Sequence, residues 1–145
     1  MTATNEAAAL PLNLHEYEAA ALAVLPPMVW DYVAGGSGDE VTLRGNRAAF
    51  DRWRLLPRVL RGVREVSTAT SVLGQDILKA LAFGARAVLI GRPIHWGLAV
   101  DDETGVRHVL ELLRAELALD LMLCGLASPA EVNRPLLVPM PVVCG

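Results

Sequence analysis

The sequence predicts a mostly α-helical chain with short extended segments and one strand of the kind buried inside an α/β fold. Most of the chain shows apolar residues at helical spacing, bounded by capping residues, prolines and glycine stops. Between two of these helices, residues 85–90 (ARAVLI) form a short apolar run, which is typical of a parallel strand covered on both faces. The second half is therefore predicted as α–β–α, one slice of an α/β fold, although the sequence offers no neighbouring strands of this kind.

The first segment, residues 13–75, begins with strong helix signals. Asn13 is a good N-cap, and Glu16 follows three residues later, where it can complete a capping box. Residues 1–12 before it have no periodicity, so we expect a loose tail. Asp39 is the expected N-cap of a later helix. After the first helix we predict a short helix at 28–34 and a third helix at 39–50. Short extended stretches at 53–63 and a strand at 67–73 follow.

The second segment, residues 76–134, has equally clear boundaries. Asp76 can cap a helix over residues 77–83, and Gly84 supplies its stop. Beyond the apolar run we predict a turn at 91–93, a short helix at 94–99 and a long helix at 104–124. Another helix start follows at 128–131, and an irregular tail with three prolines occupies 135–145. The long helix has one apolar face, formed by Val106, Val109, Leu110, Leu113, Leu117 and Leu121.

Composition excludes several function classes. A net charge of −3 and a pI near 5.6 give no attraction to nucleic acid or anionic membranes. The start of the chain does not have the pattern of a signal peptide, and no apolar run is long enough for a membrane span, so we expect a cytoplasmic protein. Cys124 and Cys144 are too few for a disulfide framework and lack metal spacing. The three histidines also lack metal-ligand spacing, so no metal site is predicted.

The chain is short and apolar. Its 145 residues are too few for a complete eight-stranded α/β barrel, which takes roughly 250 residues. Hydrophobic residues make up 53% of the sequence, and the mean hydropathy is +0.38. So much apolar surface leads us to expect a partner surface beyond this chain.

Several stretches resemble the two ends of a known family. Residues 15–53 (HEYEAAALAVLPPMVWDYVAGGSGDEVTLRGNRAAFDRW), LLPRVLRGV and TSVLGQ resemble the N-terminal part of the FMN-dependent α-hydroxy-acid oxidase/dehydrogenase family, which includes glycolate oxidase and lactate oxidase. DILKALAFGARAVLIGRPIHWGLA and GVRHVLELLRAELALDLMLCGLASPAEVNR resemble its C-terminal end. The resemblance covers about five-sixths of the chain and implies an α/β (TIM) barrel fold, FMN as cofactor and a small 2-hydroxy acid as substrate.

The junction between the two stretches departs from the family pattern. In a full member seven barrel strands separate LGQ from the DILKALAFGA helix, whereas here Gln75 directly precedes Asp76. The missing part would carry the S-N-H-G-G-R-type motif with the catalytic histidine and a substrate-binding arginine. It would also carry the lysine near flavin N1 and the D-G-G-x-R segment for the FMN phosphate. The resemblance therefore implies a barrel fragment without catalytic residues.

Three residues match family positions that bind substrate or cofactor. Tyr32, in WDYVAGG, matches the tyrosine that donates a hydrogen bond to the substrate carboxylate; by itself an aromatic packed on a short helix is the simpler interpretation. Gly91 and Arg92, in LIGRP, match the phosphate-binding pair after the eighth strand. Glycine lets backbone N–H groups approach a phosphate, and arginine can pair with the dianion. Alone, G-R-P is usually just a strand-to-helix turn.

The other polar residues have structural interpretations. His15, His95 and His108 do not match the catalytic base, and each is expected at the surface or in packing. Residues 101–103 (DDE) form an acidic run at a helix start, which a solvated cap explains.

Three hypotheses about function follow. The chain is a truncated family member, silent on its own because the base and most of the flavin site are missing. Alternatively, it is a non-catalytic helical module that self-associates or docks on a full-length paralogue. A third possibility is that the chain does not fold uniquely, because a lone barrel strand has two unpaired edges.

Overall fold

The computed structural model describes residues 10–58 and 74–140, and these form a mostly helical fold. Helices occupy α1 Leu14–Val24, α2 Pro27–Ala34, α3 Val41–Asp51, α4 Gly74–Ala82 and α5 Arg92–Leu123. Two strands, β1 Trp53–Leu55 and β2 Leu137–Pro139, pair in a two-stranded sheet, and two 3₁₀ turns lie at Pro129–Glu131 and Arg134–Leu136. The described part contains no closed barrel, so the prediction of a mostly helical fragment is confirmed. Across these ranges no helix combines the length and apolarity that a membrane span requires.

The start of α1 follows the predicted capping pattern with a shift of one residue. The Asn13 side-chain oxygen accepts a hydrogen bond from the Glu16 amide at 2.9 Å. The Glu16 carboxylate accepts in return from the Leu12 amide at 2.8 Å, one residue before the cap. One amide of the first helical turn and one amide just before the cap are thereby satisfied. α2 then opens with Pro27 and ends at Gly35, as the sequence predicts.

The predicted cap of α3 is wrong by one residue. Glu40, not Asp39, is the N-cap residue, and it lies in the left-handed region at φ 56° without a capping side-chain bond. Its carboxylate instead accepts from the Gly36 amide at 2.9 Å, so it holds the loop that follows α2. The Asp39 carbonyl accepts from the Arg44 guanidinium at 2.7 Å. Local hydrogen bonds between the loop and the first turn of α3, and not a capping side chain, accompany this boundary.

The predicted strand at residues 85–90 is not formed. After Gly84, which has φ 101°, the chain has no strand assignment until α5, and Leu89 is 97% exposed. A parallel strand needs neighbours for its N–H and C=O groups, and the described strands pair only with each other. The apolar run is therefore correct as a sequence signal but has no sheet to join.

The predicted irregular tail contains the second strand. Leu137–Pro139 pairs antiparallel with Trp53–Leu55, so that Arg54 faces Val138. The sequence predicts extended structure for Trp53–Leu55 but not for Leu137–Pro139. The reason is that pairing between segments far apart along the chain produces no recognisable pattern in either segment. The predicted strand at 67–73, the extended residues from 59 onward and the outermost residues of both tails lie outside the described residues.

α5 contains the two predicted helices, 94–99 and 104–124, joined through a sharp break. Asp101 and Asp102 have non-helical backbone angles, and Asp102 sits at φ 42° and ψ −129°. Across the break, Gly97 and Gly105 touch backbone to backbone: a Cβ on Gly97 would lie 2.8 Å from the Gly105 carbonyl oxygen. A Cβ on Gly105 would overlap the Gly97 carbonyl oxygen outright. The two glycines thus let the chain fold back on itself.

Two hydrophobic clusters lie along α5. One joins α1 to both sides of the break and contains Tyr17, Ala21, Trp96, Val109 and Leu113. The other joins α4 to the far end of α5 and contains Leu78, Leu117, Leu121, Cys124, Leu126 and Leu136. The predicted apolar face is buried at Val109, Leu113, Leu117 and Leu121, whereas Leu110 is 46% exposed. In the first cluster the Tyr17 hydroxyl lies 2.8 Å from His108 Nδ1, which ties α1 to α5.

The glycine contact predicts a large effect of one methyl group. We expect Gly105→Ala to lower the free energy of unfolding by about 3 kcal/mol, because neither backbone can move away without disturbing the first cluster. Chemical denaturation measures this change. Gly45→Ala is the control: a Cβ there meets nothing within 4 Å inside α3, so it should raise the same quantity by about 0.5–1 kcal/mol. Equal effects of the two substitutions would contradict the contact.

The strained residue at the break predicts a gain in stability. Asp102→Gly should raise the free energy of unfolding by about 1 kcal/mol, because glycine adopts a positive φ without steric cost. Glu111→Gly, at an exposed helical position of the same element, should lower it by about 1 kcal/mol. Chemical denaturation measures the free energy of unfolding of both variants. The comparison separates the relief of strain at Asp102 from the general cost of a glycine in a helix. A loss of stability in both would show that the break is not strained.

Candidate functional site

The end of α2 and the start of α5 meet, and this brings the predicted site residues into one region. Arg92 donates from Nε to the Val33 carbonyl at 3.0 Å and from Nη2 to the Gly35 carbonyl at 3.4 Å. Tyr32 immediately precedes Val33 on α2. The carbonyls at a helix C-terminus lack helical partners and carry partial negative charge, so a guanidinium is a favourable partner for them. The contact holds together two elements that are far apart in sequence.

Tyr32 is almost fully exposed. Its side chain is 88% accessible, so packing of the ring against the described core does not explain this aromatic residue. The phenol can donate a hydrogen bond to a carboxylate without carrying charge near neutral pH. Exposure also means that nothing in the described residues fixes its position or excludes water around it.

Gly91 caps α5 but offers an incomplete anion site. Gly91 has room on all sides, since a Cβ there would meet nothing within 4 Å. Pro93 has no N–H, and the Ile94 amide is bonded to the Gly91 carbonyl at 3.0 Å. His95 Nδ1 lies 3.2 Å from the same carbonyl oxygen. Two of the first amides of the helix are therefore not available to an anion.

This turn does not fit an FMN phosphate as it stands. A phosphate dianion is best held by a guanidinium that presents two parallel N–H groups. In Arg92 the Nε and Nη2 groups already point at the α2 carbonyls. An anion would have to compete with those carbonyls or use the remaining donors. The residues present supply one cation and part of a helix terminus, and no flavin-ring contact can be assigned among the described residues.

The histidines have the structural contacts that sequence reasoning expects of surface and packing residues. His108 is bonded to the Tyr17 hydroxyl, with ring centroids 5.8 Å apart. Burial raises the pKa of the Tyr17 phenol, and the Asp101 charge adds to that shift. His15 is exposed and lowers the pKa of Glu116, whose burial has the larger, opposite effect. Within residues 10–58 and 74–140, no group of three or more His, Cys, Asp or Glu residues is arranged to hold a metal ion.

A second polar region was missed by sequence reasoning. A cavity of about 360 Å³ lies where the end of α3, β1, α4 and the far part of α5 meet. It contains the buried side chains of Lys79 and Asp120, each 7% exposed. Its lining comprises Asp51, Trp53, Arg54, Leu55, Pro57, Lys79, Asp120, Leu123 and Cys124. One signal was present: Asp120 stands on the apolar face of the long helix, three residues after Leu117.

The two buried charges in this cavity differ in how they are satisfied. The Lys79 ammonium donates to the Phe50 carbonyl and to Asp76 Oδ1, both at 3.1 Å. Burial, with the Glu116 charge adding to it, raises the pKa of Asp120 to about 6, although Lys79 acts in the opposite direction. Burial and the Asp120 charge also raise the pKa of the Cys124 thiol, so this cysteine is not an activated nucleophile.

The chain matches a known family and known folds. The FMN-dependent dehydrogenase family model matches residues 21–76 and 72–139. The chain is 48% identical over 79 residues to peroxisomal (S)-2-hydroxy-acid oxidase GLO4 of Oryza sativa subsp. japonica, a match over 50% of this chain and 22% of that protein. It is 47% identical over 75 residues to human 2-hydroxyacid oxidase 1, covering 52% of this chain and 20% of that protein. The chain thus spans about a fifth of the length of these relatives.

Solved structures give the same result for the fold. The crystal structure of mandelate oxidase with 3,3-difluoro-2-hydroxy-3-phenylpropionic acid matches with a TM-score of 0.78 at 17% identity, covering 90% of this chain and 99% of that chain. A second crystal structure of mandelate oxidase matches with a TM-score of 0.78 at 16% identity, covering 90% of this chain and 98% of that chain. The local fold is therefore that of TIM-barrel oxidases, present here as a helical part without the barrel. Because the family model matches most of the length of this chain, the chain belongs to the FMN-dependent dehydrogenase family.

Proposed function

We propose that this chain is a truncated member of the family that oxidises 2-hydroxy acids and that it is catalytically silent on its own. Intact members convert a 2-hydroxy acid to a 2-oxo acid and pass a hydride to FMN, which supplies the redox chemistry when bound. The observation that carries the proposal is the junction at Gln75 and Asp76. The two family-model matches meet at residues 72–76, and the sequence contains no S-N-H-G-G-R-type motif or D-G-G-x-R segment.

What remains of the site supports this proposal. The exposed Tyr32 phenol can donate a hydrogen bond to a carboxylate, but we assign no residue of this chain as the base that would take a proton from the substrate. Gly91 and Arg92 remain from the phosphate site, and Arg92 is engaged by the α2 carbonyls. Binding of a 2-hydroxy acid would rest on a single exposed phenol, which gives little orientation. We place the chain in the cytoplasm, although one relative is peroxisomal by name.

A flavin-binding and turnover experiment tests the proposal. The purified chain, incubated with excess FMN and desalted, should retain no stoichiometric flavin in its visible absorption spectrum. It should also reduce no dye with lactate, glycolate or mandelate, because the base is missing. Human 2-hydroxyacid oxidase 1 carried through the same steps is the positive control. Stoichiometric FMN together with dye reduction would overturn the proposal.

Arg92 provides a second prediction. If its guanidinium serves mainly to join α2 to α5, Arg92→Ala should lower the free energy of unfolding by about 1 kcal/mol. The variant loses two charge-assisted hydrogen bonds, and their contribution is reduced because the arginine is partly exposed to water. Arg86→Ala, which removes an exposed arginine from the same connection, is the matched control and should change it little. An Arg92 variant of unchanged stability that binds FMN more weakly than the wild type would instead assign Arg92 to the phosphate.

A non-catalytic interaction module is the second candidate function. Large apolar side chains are exposed on α2 and in the connection before α5, with Met28 at 83%, Tyr32 at 88% and Leu89 at 97%. Such surfaces mark sites of association. Under this proposal the chain self-associates or docks on a full-length paralogue, and its melting temperature rises with protein concentration. A monomer by light scattering with a concentration-independent, cooperative melt would exclude both this module and the hypothesis that the chain does not fold uniquely.

A further inference from the structure

The cavity between β1, α4 and α5 is separate from the residues considered above. Tyr32, Gly91 and Arg92 are not among its lining residues. Its charged groups come from four elements, α3, β1, α4 and α5, and the side chains of Lys79 and Asp120 are more than nine-tenths buried. Its volume of about 360 Å³ is in the range of pockets that hold small organic ligands.

Asp120 is the unusual group in this cavity. Its side chain is 7% exposed and lines the cavity, yet it has no hydrogen bond or ion pair with any residue in the described ranges. Lys79 is not its partner, because the ammonium is bonded to the Phe50 carbonyl and to Asp76. Among the described residues, the only fully enclosed side-chain polar atom without a hydrogen-bond partner is Trp96 Nε1, so the Asp120 oxygens open onto the cavity and not into the core. A carboxylate in such a largely buried position lacks most of its hydration, and a cationic partner entering the cavity would stabilise its ionised form.

The charges around Asp120 favour a positively charged ligand. Glu116, one turn earlier on α5, and Asp76 on α4 both repel a second negative charge there, and Lys79 compensates only in part. At the cavity rim, the negative charge of Asp51 is balanced by the positive charge of Arg54. Glu116 on its own helix and Asp76 and Lys79 on α4 are the charged groups that act on Asp120, while Asp51, Arg54 and the Cys124 thiol line the same cavity.

The remaining walls of the cavity are apolar. Trp53, Leu55 and Leu123 line it beside the two charged groups. Trp53 is held in place by edge contact with Phe83, at 5.0 Å between centroids, and by the Arg134 guanidinium 4.4 Å from its ring. A bare metal ion would find only the Asp51 and Asp120 carboxylates among the lining residues, which is too few protein ligands. A ligand with an apolar body and one cationic group matches both kinds of wall.

From these observations we propose that the cavity binds a small organic cation, a primary ammonium group on a short apolar body, with the Asp120 carboxylate as its counter-ion. The ammonium donates to Asp120, and the body lies against Trp53 and Leu123. This proposal does not depend on flavin binding or on oxidation of a hydroxy acid, so it stands or falls independently of the proposed function.

A matched ligand series tests the charge requirement. 2-Phenylethylammonium, neutral 2-phenylethanol and anionic 3-phenylpropionate are titrated into the full chain, with the indole N–H signal of Trp53 followed by NMR. We expect saturable binding of the amine, and binding of the alcohol and the acid at least about tenfold weaker, because only the amine pairs with the carboxylate. No binding of the amine, or equal binding of the alcohol, would overturn the proposal.

Substitution of the counter-ion gives the second arm of this test. Asp120→Asn keeps the size of the side chain and should weaken amine binding at least about tenfold, to the level of the alcohol. Glu111→Gln removes an exposed carboxylate of the same helix outside the cavity and should bind the amine as the wild type does. An Asn variant that binds the amine with unchanged affinity would refute the role of Asp120, and its NMR spectrum shows directly whether it is folded.

The pH dependence of binding has a defined sign. The raised pKa of Asp120, about 6, means that the carboxylate is ionised above that value and protonated below it. Amine affinity should therefore be level above the pKa and fall by about tenfold per pH unit below it, while the Asn variant shows no such decline. The bound amine should also lower the pKa of Asp120 as followed by NMR. Affinity independent of pH through this range would contradict the proposal.

Thermal stability gives an independent check on the same carboxyl. Because burial raises the pKa of Asp120 from 3.8 to about 6, the folded state holds a proton that the unfolded state has released between these values. The Asp120 contribution to stability therefore declines as pH rises through this window. Asp120→Asn should melt at a higher temperature than the wild type near pH 7.5 and at a similar one near pH 4. At pH about 7.5, added amine should raise the melting temperature of the wild type but not that of the Asp120→Asn variant.

Discussion

The backbone contact between Gly97 and Gly105 determines where the rest of the described structure can pack. It lets α5 reverse direction at Asp101 and Asp102, so that Trp96 on one side and Val109 on the other meet α1 in a single cluster. Any larger residue at either glycine would push the two parts of α5 away from each other. The same reversal directs the remaining turns of α5 toward α4, where the second cluster forms. The strain held at Asp102 is offset by burial on both sides of the break.

The position of Arg92 follows from that geometry and limits the chemistry of the chain. The turn before α5 lies beside the C-terminus of α2, and the guanidinium satisfies two carbonyls there. In a complete barrel, the residues of this turn would share a site with neighbouring strands, and the described residues contain no such strands beside it. Here the arginine has a local structural partner instead, and its stabilising role requires no ligand. Family membership and cofactor binding are thus separate questions: shared sequence shows common descent, while binding depends on which donors are still available.

Local signals in the sequence predict the local structure well, and the errors arise where distant residues decide. The Asn13 cap, the opening proline of α2 and the Gly84 and Gly125 stops are properties of a few adjacent residues. Pairing of β1 with β2 joins residues more than eighty positions apart, and no composition marks it. The run at 85–90 shows the converse, since its strand character depends on neighbours that the sequence does not supply. Tyr32, Gly91 and Arg92 were found through resemblance, whereas the cavity that contains Lys79 and Asp120 depends on the convergence of α3, β1, α4 and α5.

Asp120 shows how a departure from the apolar pattern can be interpreted. On a helix face that otherwise carries leucine and valine, a carboxylate costs stability whenever it is ionised, and an apolar residue of similar size would avoid that cost. The helix therefore contains a group that its own packing does not require. Lys79, close by and equally buried, is fully explained by its bonds to Phe50 and Asp76, so the lysine alone does not account for the acid. A cation entering the cavity would supply the missing partner, and the wall formed by Trp53 and Leu123 would select one with an apolar body. Because the lining residues come from both β1 and the end of α5, such a ligand would also strengthen the contact between these two elements.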